Sequence, residues 1–190
     1  MKLLGVLPFA RFLLERSISP GDIAVDCTAG NGHDTLFLAN LVGNAGHVYS
    51  VDIQETAITN TKLKVEEAEV ASRVTLHQSG HEHISTLIPK EEYGRVKGAI
   101  FNLGYLPGGD KSIVTHSQTT IKAIDSLLEL MPKGGIIVLV IYHGHAEGAA
   151  ERDHLMEYVT RLDQKRAHVL NYSFINQANN PPFIVAIEKR

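Results

Sequence analysis

Five strand-length apolar runs, each followed by an amphipathic stretch, precede two further runs that have no helix between them. This ordering restricts the fold more than any other feature of the sequence. The runs are Ile23–Cys27, Gly46–Asp52, Val74–Gln78, Lys97–Asn102 and Ile136–Tyr142. The stretches after them, Thr35–Leu41, Glu55–Ala71, His83–Leu87, Thr115–Leu130 and Ala149–Leu162, read as helices, and another helix, Phe9–Arg16, leads the chain. Strands alternating with helices predict βαβ units and a parallel sheet with helices on both faces. The final pair, Ala167–Phe174 and Phe183–Lys189, is joined by INQANNPP, and adjacent strands without a crossover must be antiparallel. The expected fold is α/β, doubly wound and Rossmann-like, with a seven-stranded, mostly parallel sheet carrying one antiparallel strand.

The chain of 190 residues fits one domain spanning 1–190, with no room for a second catalytic unit. Its 44% hydrophobic and 21% charged residues match an ordinary globular balance. Cys27 is the single cysteine, so no intrachain disulfide can form, which fits a reducing compartment. The opening MKLLGVLPFARFLL is interrupted by Pro8 and Arg11 and no small-residue cleavage site follows it. No stretch reaches the roughly 20 apolar residues of a membrane span. The expectation is a cytoplasmic protein without membrane contact. A net charge of −3 excludes a globally basic nucleic-acid binder, so any RNA contact must be local.

The chemistry-bearing loop is Asp26-Cys27-Thr28-Ala29-Gly30-Asn31-Gly32, between the first strand and a helix, where an open α/β sheet binds its ligand. Gly30 and Gly32 permit a tight turn and close backbone approach, and the N–H groups that start the helix can receive an acceptor. A dinucleotide loop would carry a third glycine where Thr35 stands. Asp26 suits a cationic amino group better than a pyrophosphate. Asp52 ends the second strand twenty residues after Gly32, the place from which a carboxylate accepts hydrogen bonds from both ribose hydroxyls. A ligand with an ammonium, a sulfonium and an adenosine, S-adenosyl-L-methionine, therefore fits better than a nicotinamide dinucleotide. Ala29, Ile53 and Ser79 are placed around the same ligand, and His81, just past the third strand, is equally readable as a solvated loop histidine.

Asn102-Leu103-Gly104-Tyr105-Leu106-Pro107 ends the fourth strand beside this crevice and looks like a variant of the Asp/Asn-Pro-Pro-Tyr motif of amino-directed methyltransferases. Taken with DCTAGNGHDTLFLA, VDIQ, FNLGYLPGGDK and IYHGH, it resembles one family over nearly the whole chain. These are the bacterial YtqB-like rRNA methylases, understood as tRNA 5-aminomethyl-2-thiouridine methyltransferases (the MnmM family). The resemblance implies the class I methyltransferase sheet, ordered 3-2-1-4-5-7-6. It also implies methyl transfer from S-adenosyl-L-methionine to the exocyclic amine of a modified wobble uridine, with tRNA as partner. It puts Asn31, Asp34, Asp52, Gln54, His81 and Asn102 at the cofactor, joined by Leu103, and Tyr105 and Leu106 at the nucleobase. Asn102 would orient the amine, and Tyr105 or a nearby histidine, His143, would help remove its proton, with His145 beside the substrate. The chain departs from the family at one point: the resemblance leads one to expect a histidine near Arg11 in the leading helix, none stands there, and a substrate role for that helix loses its basis. A homodimer is compatible with all of this and not required by it.

Two rival readings stay open at the level of sequence, besides an rRNA or small-molecule substrate. His33, His81, His83, His143 and His145 follow parallel strands and can converge on one rim as a metal site. Yet HGHAEG lacks the following Asp-His of metallo-hydrolases, and no HExxH helix is present, so the expected metal complement is none. A non-catalytic RNA or nucleotide binder is the other rival, and NLGYLP argues against it, because a pure binder needs no polar acceptors beside a methyl group.

Overall fold

The structure is a computed structural model and describes residues 2–104, 108, 114–144 and 146–190, without the side chains of 146 and 147. In chain order the strands are β1 (Ile23–Asp26), β2 (His47–Asp52), β3 (Val74–Gln78), β4 (Val96–Leu103), β5 (Ile136–Ile141), β6 (Ala167–Tyr172) and β7 (Phe183–Lys189). The helices are α1 (Val6–Ser17), α2 (His33–Val42), α3 (Glu55–Glu67), α4 (Ile84–Leu87), α5 (Ser117–Leu130) and α6 (Ala146–Thr160). They surround one seven-stranded sheet of order β3-β2-β1-β4-β5-β7-β6. Only β7 is reversed, pairing antiparallel with both β5 and β6, as the helix-free final pair predicts.

The two faces of the sheet explain the apolar runs. Along β5, Ile137, Leu139 and Ile141 pack with residues of α4, α5 and α6, while Ile136, Val138 and Val140 pack with α1 and α2. Successive side chains point to opposite faces, and both faces are covered, so every residue of β5 is buried. The long helix after β2 stops at Glu67, short of the expected Ala71. Glu69 takes a left-handed conformation (φ 56°), and Ala71–Arg73 forms a separate 3₁₀ turn into β3.

Gly32 caps the start of α2 with φ +76°, and a Cβ built there would lie 2.9 Å from the Cα of Thr61 on α3. Gly32 lines neither cavity described below, so its need for glycine comes from helix packing, which corrects the expected approach to a ligand. Gly32→Ala should lower the unfolding free energy by about 1–2 kcal/mol, the left-handed penalty, with the Thr61 contact adding to it. Urea denaturation would check this, and unchanged stability would count against the packing role.

Candidate active site

The C-terminal ends of β1, β2, β4 and β5 face one edge of the sheet, and the site forms there. The chain leaving β1 is held between its neighbours: the Cys27 N–H donates to the Ile100 carbonyl on β4 and the Ala29 N–H to the Val51 carbonyl on β2 (both 2.9 Å). It then turns through Gly30 at φ +53°. The Gly30 N–H donates to Asp52 Oδ2 and the Gln54 N–H to Asp52 Oδ1, each at 3.0 Å. Each carboxylate oxygen keeps a further lone pair, so Asp52 is held in place and still able to accept from two hydroxyls. Because Gly30 is left-handed, a β-branched residue there would strain the loop with or without ligand.

Two cavities meet at this edge. The smaller, about 260 Å³, is bordered by Asp52, Ile53, Gln54, Ser79 and His81. Ile53 is 53% exposed, an apolar surface beside the carboxylate of the kind a flat ring covers. The larger, about 630 Å³, is bordered by Ala29, Asn31, Asp34, Tyr142 and His143, together with Leu7 and Arg11 of α1. Thr28, Gly30, Asn102 and Gly104 border both, so the ends of β1 and β4 form the junction. At that junction the Asn102 N–H donates to Thr28 Oγ1 (2.8 Å) and its Nδ2 to Asp34 Oδ2 (2.7 Å).

Several expected ligand contacts fall elsewhere. Asp26 is 0% exposed and borders neither cavity. Its Oδ2 accepts from Thr35 Oγ1 (2.6 Å) and its Oδ1 from the Thr28 N–H (3.1 Å). Asp26 and Thr35, which also reaches Ser50 Oγ at 2.8 Å, thus brace the loop from behind, away from both cavities. Leu103 turns its side chain into the core, and its carbonyl accepts the Tyr142 N–H (3.1 Å). His143 borders the larger cavity, but Nε2 lies 3.0 Å from the Pro181 carbonyl, an acceptor only, and Nδ1 lies 3.2 Å from the Arg152 guanidinium. Both ring nitrogens are engaged, so the geometry corrects its expected role as a base: it ties β5 to the segment before β7. Tyr105, Leu106 and His145 lie outside the described residues.

His81 is a wall and not a solvated histidine. It is buried, with Nδ1 3.2 Å from the Cys27 carbonyl and its ring edge-on to Phe101. Burial holds its pKa below the ordinary imidazole value, so the ring stays neutral. Nearby, the Gly104 N–H donates to Thr115 Oγ1 (3.0 Å), which donates to Glu151 Oε2 (2.6 Å), fixing the stem of the segment after β4. Burial, reinforced by the Asp34 charge, raises the pKa of the Tyr142 hydroxyl, leaving a phenol that donates. Among the described residues no group of three His, Cys, Asp or Glu side chains is set to hold a metal ion. Among the described residues no helix is long and apolar enough to cross a membrane.

Burial, and next the Asp34 charge, raises the Asp26 pKa to about 7. A proton held more tightly in the folded state stabilises it below the unfolded value of 3.8, and that stability is lost as pH rises through about 7. The slope within this window is about 1.4 kcal/mol per pH unit. In Asp26→Asn this slope should vanish. Urea titrations at a series of pH values should therefore show the variant gaining on the parent as pH rises from acid to neutral. A constant difference would mean that Asp26 stays ionised throughout.

The carboxylates favour one class of ligand. Asp34 stands in the first turn of α2, where a dinucleotide would bring its pyrophosphate, and its carboxylate, held by Arg11 and Asn102, occupies that place. Asp34 on one side of the junction and Asp52 on the other suit a ligand with a cationic end and a ribose, as S-adenosyl-L-methionine has.

Sequence reasoning passed over Leu7, Tyr142, Asn180 and Pro182, all on the larger cavity. Topology could have found the last two: an antiparallel β7 must begin beside the end of β5, and Phe183 does pair with Ile141.

Known proteins share this fold. A Clostridium thermocellum protein matches over 100% of both chains with 43% identity and a TM-score of 0.96. A Streptococcus mutans methyltransferase crystallised with SAH matches over 99% of both chains with 35% identity and a TM-score of 0.89. The chloroplastic tRNA (mnm(5)s(2)U34)-methyltransferase of Arabidopsis thaliana is 40% identical over 151 residues, which are 75% of this chain and 54% of that protein. The family described as "Putative rRNA methylase" matches residues 48–188. With the family match over residues 48–188 and the fold shared over the whole length, the chain belongs to this rRNA methylase family, on the class I S-adenosylmethionine-dependent methyltransferase fold.

Proposed function

We propose that this protein is an S-adenosyl-L-methionine-dependent tRNA methyltransferase that acts on 5-aminomethyl-2-thiouridine at the wobble position and yields 5-methylaminomethyl-2-thiouridine. The observation that carries this reading is Asn102 at the junction of the two cavities, with its amide nitrogen committed to Asp34. Its side-chain carbonyl, free of partners among the described residues, is the acceptor an incoming amine needs. The kinship with the chloroplastic tRNA enzyme supports a wobble uridine over other amine substrates.

In this reading Asp52 takes the ribose hydroxyls, Ile53, Ser79 and His81 border the base, and Asn31 and Asp34 meet the amino-acid end. The cofactor supplies a methyl group on a sulfonium, an electrophile open to in-line attack. The chain's task is to hold the amine nitrogen, lone pair free, roughly 3–3.5 Å from that carbon. Asn102 orients the amine by accepting one of its N–H bonds, and the larger cavity admits the base. The C–S bond breaks as the N–C bond forms, and the proton lost from nitrogen leaves through the same opening. Cytoplasmic residence, where tRNA is matured, goes with this activity.

The test is methyl transfer to tRNA isolated from cells that lack this protein, read by mass spectrometry of the wobble nucleoside. One added methyl on the 5-aminomethyl nucleoside is the expected result. Transfer to ribosomal RNA alone would replace the substrate in this reading.

A further inference from the structure

Helix α1 lacks the histidine that the resemblance leads one to expect, yet its Arg11 borders the larger cavity and reaches Asp34, which is bonded to Asn102 at the junction. Arg11 Nη2 lies 3.3 Å from Asp34 Oδ1, and Asp34 Oδ2 accepts from Asn102 Nδ2 at 2.7 Å. The guanidinium also lies over the Phe37 ring, 5.0 Å from its centroid. Asp34 and Phe37 are three residues apart, on one face of α2, so Arg11 is seated by an ion pair and a cation–π contact on adjacent side chains. Asp34 is only 14% exposed, against 43% for Arg11, so the carboxylate is the sheltered middle of the chain of contacts.

We propose that Arg11 is a positioning residue that acts through Asp34 to fix the orientation of the Asn102 amide. This rests on the proposed methyl transfer. An ionised carboxylate only accepts hydrogen bonds, so the Asn102 amide must present its NH₂ to Asp34 and its carbonyl to the junction. Its backbone N–H, held by Thr28 Oγ1, fixes the other end of the residue. Without Arg11, Asp34 loses its cationic partner and its fixed rotamer, and the amide is free to turn. The carbonyl that should accept the amine is then presented for only part of the time. The leading helix thereby belongs to the working site.

The test is a double-mutant cycle with tRNA carrying 5-aminomethyl-2-thiouridine, together with hydrogen exchange of the ¹⁵N-labelled Asn102 side-chain amide in the protein saturated with S-adenosylhomocysteine. Arg11→Met should lower kcat roughly tenfold with KM for tRNA little changed, within the coupling expected inside one hydrogen-bonded network. In an Asn102→Ala background the same substitution should have no further effect. The Asn102 amide protons should exchange faster in Arg11→Met and recover in part in Arg11→Lys, which restores the cation. A rise in KM with kcat intact, additive with Asn102→Ala, would overturn the proposal and make Arg11 a phosphate contact. If Arg11→Met fails to fold, Arg11→Gln, which also removes the cation, carries the same cycle. If the parent is inactive on this tRNA, the substrate reading fails, and amide exchange alone decides the positioning role: unchanged exchange overturns it and faster exchange supports it.

Discussion

Asn102→Ala should slow methyl transfer on tRNA by about 10²-fold or more at saturating S-adenosyl-L-methionine, the scale of losing the alignment of a reacting group. The substitution removes the acceptor for the amine and leaves one oxygen of Asp34 without its 2.7 Å donor. Affinity for the cofactor should fall less than turnover, because Asp52 and the loop after β1 stay as they are. Single-turnover assays separate these effects. A rate within a few-fold of the parent would remove Asn102 from the mechanism.

Asp52→Ala should weaken S-adenosyl-L-methionine binding by about 1.5–3 kcal/mol, the range for hydrogen bonds to a charged group. Two consequences add up in this variant. The ribose loses its acceptors, and the N–H groups of Gly30 and Gln54 lose the carboxylate that holds them. Asp52→Asn keeps one acceptor and should fall between the two. Calorimetry checks the series, and equal affinities across it would place the ribose elsewhere.

The sheet was legible because its signal is local: each buried strand is an apolar run, and each helix after α1 follows one. Asp52 was legible for a similar reason, since a strand end at a set distance from a glycine loop defines its place. Asp26 looked the same in sequence and is different in fact, because Thr35 and the Thr28 N–H close over it and leave it 0% exposed. No spacing rule distinguishes a strand-end acid that faces a ligand from one that props the loop. His143 was misread for want of its partners, Arg152 and Pro181, which come from α6 and the final connection. Arg11 lies 91 residues before Asn102, and only the packing of α1 beside α2 brings them to one carboxylate.

The reversed direction of β7 also sets how this molecule can be handled. Strand β7 begins at the rim with Phe183 and ends at the opposite edge, where the Gly134 N–H donates to the Lys189 carbonyl. At the other end of the chain, Leu7 borders the larger cavity and the Leu4 carbonyl accepts from the Tyr172 hydroxyl. A label or surface tether joined after Arg190 therefore hangs from the far side of the sheet and leaves the mouth clear. The same tether joined ahead of α1 would stand at the mouth of the larger cavity.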